Sequence, residues 1–244
     1  MNRQQTNLIN HLKDLEKYFS ENYYFGAAKS KSVFSYVENN SRVCLTAPHS
    51  TKSTVSRLVK GSDLYTGSLV KYLGETCNLS YIVRNKYYHK KCMLSSFILK
   101  NNLEQHYFLD IHAMKDRPFD LAVGIGYCSP KDYEKELSLI KKLCKKYQLK
   151  YVVNHPAYTG QRGLTGKLQH QLSKAAVLQL EWSKKFRDFE HNPNEVTKIT
   201  LPFIKELALN LNKLNKRKLS HKITAKYTLW QRLKNRIVFL LYRP

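Results

Sequence analysis

The sequence predicts an α/β fold, with a mixed, mostly parallel sheet flanked by helices and a basic helical extension at the C-terminus. Short apolar runs typical of buried strands alternate with segments of helical periodicity, which is the pattern of an α/β domain. The 244 residues are 42% hydrophobic with only 7 Pro and 9 Gly, a composition typical of a folding chain. No apolar run reaches the roughly 18 residues that a membrane-spanning helix needs.

The predicted elements follow in chain order. An amphipathic helix comes first, because Leu8, Leu12, Leu15 and Phe19 recur at spacings of four, three and four residues. Six apolar runs predict strands: Arg42–Ala47, Leu79–Val83, Tyr107–Ile111, Leu121–Ile125, Tyr151–Asn154 and Val177–Glu181. Four stretches between them predict helices: Thr66–Leu73, Tyr87–Leu99, Asp132–Tyr147 and Lys167–Lys174.

The segment HNPNE breaks the α/β pattern near residue 195 and divides the chain into a predicted α/β domain (1–195) and an extension (196–244). The extension is expected to hold a helix over Pro202–Leu214, the basic patch Lys216–Lys218, and a last helix or strand. Residues 197–244 contain twelve Lys and Arg and one acidic residue, a net charge of +11. The extension therefore carries the densest positive charge in the sequence.

The whole chain has a formal charge of +24, which favours an anionic partner. The tail could lie on an anionic membrane surface or an acidic partner, or dock on the core with its lysines in water. No nucleic-acid-binding motif accompanies the charge. The five cysteines show no CxxC spacing, which indicates reduced thiols in a cytoplasmic protein, peripheral at the membrane if the tail binds there.

Three predicted strands end in loops that carry chemically reactive side chains. His49 follows the first of these strands, His112 the second, and Glu181 ends the third. Functional groups in open α/β sheets gather at the carboxyl ends of strands. Two imidazoles and a carboxylate brought together there suit a catalytic zinc site with an open position for water.

Two aspartates extend this candidate site. Asp63 is the best third ligand, although its place before a helix also suits an N-cap. Asp110 lies two residues before His112, so both side chains point to one face of a strand. Its carboxylate could accept the second ring proton of His112 and fix the tautomer of a ligand histidine. Alternatively, His49 is an exposed loop residue and His112 a satisfied core histidine.

An ordered set of motifs over roughly residues 40–190 resembles the N-formylglutamate amidohydrolases, relatives of zinc carboxypeptidases and aspartoacylases. The matching segments are APHS (47–50), DLYT (63–66), LDIHAM (109–114), VGIG (123–126), VNHPAYTG (153–160) and LQLE (178–181). The resemblance implies a phosphorylase/hydrolase-like fold and a zinc-dependent amidohydrolase. Such an enzyme cleaves the amide bond of an N-acyl amino acid or peptide, for example an N-formyl one, with a zinc-activated water.

The resemblance also implies roles for individual residues. His49, Asp63 and His112 would bind one Zn²⁺, with Glu181 as the carboxylate that handles the water. Arg117 is a candidate for stabilising the oxyanion, and the substrate-binding candidates are Arg162, Asn154 and Tyr158. Arg187 is a weaker third arginine, and Glu181 could instead pair with Lys184 or Lys185. The alternative function is a non-catalytic, hydrolase-like protein that binds an anionic polymer or membrane surface.

Overall fold

A computed structural model describes residues 2–55, 58–89, 93–101, 103, 107–171 and 175–214 of the chain. Its centre is a seven-stranded sheet in the order β1-β5-β2-β6-β9-β7-β8. The strands of this sheet are β1 (Phe34–Val37), β2 (Val43–Ala47), β5 (Ser80–Arg84), β6 (Tyr107–Ala113), β7 (Leu121–Gly124), β8 (Tyr151–Val153) and β9 (Ala176–Trp182). The short strands β3 (Ser53–Val55) and β4 (Leu58–Lys60) form a separate antiparallel hairpin.

Helices cover both faces of the sheet. They are α1 (Arg3–Tyr24), α2 (Thr66–Cys77), α3 (Leu94–Lys100), α4 (Glu134–Lys146), α5 (Leu164–Gln171), α6 (Pro193–Glu195) and α7 (Leu201–Lys213). A π-helical turn over Val196–Thr200 joins the last two helices, and a 3₁₀ turn over Pro130–Tyr133 leads into α4. None of the helices in these described ranges combines the length and the apolarity needed to cross a bilayer.

The strand directions confirm the predicted mixed, mostly parallel sheet. The four central strands β5, β2, β6 and β9 are parallel to one another. The first strand β1 runs antiparallel to β5 at one edge, and β7 runs antiparallel to β9 on the other side. Finally, β8 is parallel to β7. The carboxyl ends of the four central strands therefore meet along one edge of the sheet.

The two faces of the sheet pack in separate apolar clusters. On one face, Leu45, Leu109 and Leu178 belong to the larger cluster, which also takes in buried residues of α1, α2, α4 and α7. On the opposite face, Phe108 and Val177 belong to a smaller cluster with residues of α3 and α5. Because side chains alternate along a strand, the register of each strand decides which residues reach the smaller cluster.

All six predicted strands are present within two residues of their predicted ends, and α1, α2, α4, α5 and α7 also match predicted helices. The helix predicted over Tyr87–Leu99 is wrong in its first half, since α3 begins only at Leu94. Tyr87 donates its backbone N–H to the carbonyl oxygen of Phe25, and the hydroxyl of Thr54 donates to the carbonyl oxygen of Tyr88. These backbone groups are bound to neighbouring segments and are not available to a helix.

The first part of the predicted extension packs into the main core. Val196, Phe203 and Leu207 are fully buried in the same cluster as the sheet. Residues 215–244, including the basic patch Lys216–Lys218 and the predicted last helix or strand, lie outside the described residues. The division of the chain at residue 195 therefore stays a prediction. Among the described cysteines, Cys44, Cys77, Cys128 and Cys144 are free thiols.

A close contact between α2 and β5 gives a test of this packing. A Cβ atom added to Gly74 would lie 2.1 Å from Cδ1 of Tyr81, a ring that is 5% exposed. We expect Gly74→Ala to lower the free energy of unfolding by about 1–3 kcal/mol, because the buried ring must shift. The control is Gly61→Ala, where no atom lies within 4 Å of the new methyl group. Urea denaturation that gives both variants the same midpoint would contradict this packing.

Candidate functional site

The sheet face of the smaller cluster changes from apolar to polar towards the carboxyl ends of β2, β6 and β9. Three rows of register partners cross these strands: Cys44, Phe108 and Val177; then Thr46, Asp110 and Gln179; then His112 and Glu181. The first row is buried in the smaller cluster. The other two rows place five hydrogen-bonding or titratable groups side by side, all less than 9% exposed. The local pattern of alternation thus delivers the polar groups to one face.

His112 lies between two carboxylates. Its Nδ1 is 2.9 Å from Oδ2 of Asp63, and its Nε2 is 2.9 Å from Oδ2 of Asp110. The predicted contact between Asp110 and His112 is therefore present, and the hydroxyl of Thr46 fixes Asp110 by donating to its Oδ1 over 2.6 Å. Burial lowers the pKa of His112, but the charges and hydrogen bonds of Asp110 and Asp63 outweigh burial and raise that pKa well above its usual value.

The side chain of Asp63 points to His112 and not to the start of α2. Tyr65 occupies the N-cap position of α2. Asp63 contacts the start of α2 only through its carbonyl oxygen, which accepts from the N–H and the hydroxyl of Thr66. The alternative of an N-cap role is therefore wrong. Burial raises the pKa of Asp63, yet Lys60 at 3.4 Å and His112 outweigh burial and hold that pKa well below its usual range.

His49 lies beside the pair of Asp63 and His112. Its ring centroid is 5.3 Å from that of His112, and its Nδ1 is 3.1 Å from the hydroxyl oxygen of Ser53. Burial lowers the pKa of His49 well below its usual value, which favours a neutral imidazole. Arg84 holds this loop, because its Nε donates to the carbonyl oxygen of Pro48 over 2.7 Å. His49 is therefore a positioned residue and not an exposed loop histidine.

Glu181 is the register partner of His112 on the neighbouring strand. Its Oε1 accepts a hydrogen bond of 2.6 Å from the amide of Gln179. Burial raises the pKa of Glu181 to about 7, against the opposing effect of the His112 charge. A carboxyl group with that pKa can both accept and release a proton near neutral pH.

The alternative pairing of Glu181 with the two following lysines is wrong. Lys184 lies 3.9 Å from Asp188, and Lys185 lies 3.8 Å from Glu195. Both of these lysines are therefore directed to carboxylates beyond the strand. Glu181 keeps a position among the buried polar groups of the sheet face.

Of the three arginines, Arg187 binds the segment next to a predicted ligand, Asp63. Its Nη1 donates to the carbonyl oxygen of Leu64, and its buried Nε has no hydrogen-bond partner among the described residues. Burial lowers the pKa of Arg187, and the nearby carboxylate of Asp63 opposes this shift. Arg117 also has a buried Nε without a partner in the described part of the chain, and its charge acts on His155. Arg162 is exposed.

The segment after β8 passes closely over β7. A Cβ atom on Gly124 would lie 2.6 Å from the carbonyl oxygen of Tyr158, so only glycine permits this approach. Asn154 has a φ of +53° and accepts the N–H of Ile125 with its side-chain oxygen. Because Gly124 is the register partner of Gln179, the segment lies beside the polar rows. The substrate-binding roles of Asn154, Tyr158 and Arg162 stay predictions, as does the oxyanion role of Arg117.

A second group of candidate metal ligands follows β9. Asp188, Glu190 and His191 each offer one ligand atom within 4.8 Å of the others. His191 Nδ1 is 2.9 Å from the buried Asp188 carboxylate, and Glu190 accepts from the hydroxyl of Tyr65. The sequence pattern did not suggest this group, because DFEH follows no strand end directly and has no metal-ligand spacing. Glu190 and His191 are exposed, unlike the ligands predicted for the first site.

Three further residues around the site were not predicted. Lys60 approaches Asp63 from β4, and Arg84 supports the loop of His49. Glu16 of α1 is buried and accepts from the hydroxyls of Tyr24 and Ser68 and from the N–H of Tyr65. These contacts tie α1 to the segment that follows Asp63. Glu16 is an acidic residue on the apolar face of α1, and this position is the signal that could have identified it.

Comparison with known proteins finds similarity of fold. No protein-family model matches the chain, and no curated protein matches it in sequence. The gene product Atu2144 from Agrobacterium tumefaciens has a TM-score of 0.51 and 10% identity, over 77% of this chain and 98% of that one. This similarity shows a shared fold.

Two further solved structures are similar at lower TM-scores. A bacteriophage poly-gamma-glutamate hydrolase has a TM-score of 0.48 and 14% identity over 75% of this chain and 91% of that one. N-formylglutamate amidohydrolase from Ralstonia eutropha JMP134 has a TM-score of 0.44 and 12% identity over 72% of this chain and 98% of that one.

Proposed function

We propose that the chain is a zinc-dependent amidohydrolase that cleaves the amide bond of an N-acyl amino acid or a peptide. The observation that carries the proposal is the convergence of His49, Asp63 and His112 beside the buried carboxyl group of Glu181. These residues come from four separate segments of the chain, and the two histidines and Glu181 each follow or end a central strand. Structural packing alone does not require four titratable groups at one edge of a sheet, three of them buried.

The donor set fits a divalent cation of the zinc type. Two imidazoles and one carboxylate are a ligand set that catalytic zinc sites use, with a further position left for water or substrate. The orientation of His112 supports this, because Asp110 accepts at Nε2 and leaves Nδ1 directed to Asp63. Metal ligands must be deprotonated, so a cation at this position would replace the proton shared between His112 and Asp63.

The protein's own residues supply the proton transfer and the orientation. When bound, a divalent cation supplies Lewis-acid activation of water and of the amide carbonyl group. Glu181 takes a proton from the attacking water and later delivers it to the departing amine nitrogen as the C–N bond breaks. Gln179 orients the Glu181 carboxyl group, and Asp110 fixes the ring of His112. The products are a carboxylic acid and a free amine.

The arginines indicate an anionic substrate. Arg187 carries a charged guanidinium near Asp63 with a buried Nε that has no partner in the described ranges, so it has hydrogen-bonding capacity to offer. The planar guanidinium suits a carboxylate, which it can bind through two parallel hydrogen bonds. We therefore assign recognition of the substrate carboxylate to Arg187 ahead of the exposed Arg162. Arg117 is the second candidate for this role.

The test is an assay of the purified full chain, loaded with Zn²⁺, against N-formyl and N-acetyl amino acids and short acyl peptides. We expect release of primary amine with at least one acidic substrate, and loss of this release when zinc is removed by a chelator. Activity should return on adding zinc back. A chain that binds zinc stoichiometrically yet releases no amine from the whole panel would favour the non-catalytic alternative.

A further inference from the structure

Glu16 of α1 is a buried acidic residue that the proposed reaction does not use. Its side chain is 5% exposed, on the helix face that carries the fully buried Leu12 and Phe19. A carboxyl group in such surroundings loses its hydration, so hydrogen bonds or an opposite charge must offset its burial. Three hydrogen-bond donors approach Glu16, and in the described part of the chain it forms no ion pair.

Two of these three hydrogen bonds come from residues that follow Asp63 closely in the chain. The backbone N–H of Tyr65 donates to Oε1 of Glu16 over 3.1 Å, and the hydroxyl of Ser68 donates to Oε2 over 2.6 Å. The third comes from the end of α1, where the hydroxyl of Tyr24 donates to Oε1 over 2.8 Å. Both oxygens of Glu16 are therefore engaged, mainly with the segment that leads from Asp63 into α2.

The conformation of Tyr65 depends on contacts of this kind. Tyr65 is the N-cap residue of α2, yet its side chain forms no capping hydrogen bond, and its φ is +71°. This left-handed conformation is unfavourable for a residue with a side chain and persists where neighbouring groups maintain it. Glu16 accepts from the N–H of Tyr65, and Glu190 accepts from its hydroxyl. The turn between Asp63 and α2 is thus held at both the backbone and the side chain of Tyr65.

Glu16 is also connected, through Tyr24, to the loop that carries His49. The carbonyl oxygen of Tyr24 accepts from the backbone N–H of Lys52 over 2.8 Å. The two loops contact each other directly as well, because the N–H of Asp63 donates to the carbonyl oxygen of His49 over 2.7 Å. One carboxyl group on α1 thereby supports the His49 loop on one side and the Asp63 segment on the other.

We propose that Glu16 is a positioning residue for the cation site, and that its carboxyl group maintains the spacing between His49 and Asp63. This role presupposes the proposed function, because it takes these two residues as metal ligands. Ligands that are already held at the right spacing lose little conformational freedom when they bind a cation, so their affinity for it is higher. Outer groups that orient metal ligands commonly contribute about 10- to 100-fold to the affinity.

A purely structural role, which would join α1 to α2, does not need a carboxyl group. The two helices already pack through apolar side chains, with Leu12 and Phe19 in the same buried cluster as Leu69 and Leu73. An apolar side chain in place of Glu16 would extend this contact without the cost of burying an acid. The hydrogen bond to the backbone before α2 therefore favours positioning of that segment over stability of the helix pair.

The experiment measures the zinc affinity of the purified full chain by competition with a chromophoric chelator. In Glu16→Met, a side chain of similar length fills the space but is only a weak acceptor. We expect its Kd for zinc to rise about ten-fold, because the segment after Asp63 is no longer held. In Glu16→Gln, the side-chain oxygen can still accept from the N–H of Tyr65, so this conservative variant should restore the wild-type Kd.

Leu12→Met is the matched control, because it changes a buried side chain one turn earlier on the same face of α1 and keeps the carboxyl group. Its Kd for zinc should equal that of the wild type. A wild-type Kd in Glu16→Met would overturn the proposal, even if the thermal midpoint of that variant falls. A wild-type chain that binds no zinc would instead end the metal assignment on which the proposal rests.

A second readout needs no metal. Amide hydrogen exchange of the metal-free protein, followed by mass spectrometry, should be faster over residues 63–69 in Glu16→Met and unchanged there in Leu12→Met. If Glu16→Met does not fold, Ser68→Ala removes the shortest of the three hydrogen bonds and leaves the N–H of Tyr65 paired. We expect a smaller change of the same sign in Kd and in exchange. Wild-type values of both in Ser68→Ala would then overturn the proposal.

Discussion

Replacing His112 with alanine is expected to abolish stoichiometric zinc binding by the purified protein. The substitution removes one of the two proposed imidazole ligands and also the ring that Asp110 orients, so we expect the affinity for zinc to fall by at least about 100-fold. Metal content after zinc loading and desalting, measured by mass spectrometry, gives the answer. In His112→Ala, the buried carboxylates of Asp63 and Asp110 lose the imidazole that lies between them. His112→Gln therefore serves as a second variant, because its amide group retains a hydrogen-bond donor.

Two other histidines provide matched controls for this prediction. His11→Ala changes an exposed residue of α1 and should retain full zinc content. His191→Ala removes the imidazole of the group formed with Asp188 and Glu190, and zinc content should again be unchanged. If His191→Ala loses zinc while His112→Ala keeps it, the metal site is the exposed group after β9. That result would end the proposed assignment of His49, Asp63 and His112.

Glu181→Gln is expected to lower kcat by about 10²–10⁴-fold while zinc content stays at the wild-type level. Glutamine keeps the size of the side chain and can still accept from Gln179, but it cannot take a proton from water. Burial raises the pKa of Glu181 to about 7, which shows that the negative charge is costly at this position. Removing that charge should therefore leave the thermal midpoint of unfolding at or above that of the wild type.

The combination of lost activity and retained stability distinguishes proton transfer from a structural role. Glu190→Gln is the matched control, because it changes an exposed carboxylate in the same way and should retain wild-type kcat. Steady-state amine release gives kcat, and differential scanning calorimetry gives the midpoint. If Glu181→Gln retains wild-type kcat, then Glu181 does not handle the proton, and the proposed mechanism is wrong.

The central strands and the main helices were predictable because their signals are local. Each buried strand is a short apolar run with turn residues at its ends, and α4 has the periodicity of an amphipathic helix. The edge strand β1 and the β3–β4 hairpin were not predicted. The hairpin is only three residues per strand, and β1 is partly exposed, so neither shows a continuous apolar run.

The candidate site was predictable where it depended on strand ends, and not where it depended on tertiary contacts. His49, His112 and Glu181 follow or end apolar runs, so the sequence could place them at one edge of the sheet. Lys60 and Arg187 reach the site only through the conformation of a hairpin and a turn. Lys and Arg are surface-type residues, so the sequence gave no signal that either lies near Asp63. The spacing between Asp110 and His112 succeeded because the period of a strand fixes it.

The pairing of β6 with β9 also has a consequence for how the protein would acquire the proposed activity. His112 and Glu181 are register partners although 69 positions separate them along the chain. Parallel pairing between such distant segments is a slow event in folding, because the intervening loop must close first. During synthesis, the nascent chain would complete all three proposed ligands well before Glu181, the proposed proton-transfer group, emerges. Refolding experiments should accordingly recover catalysis only with the last, non-local step of sheet assembly.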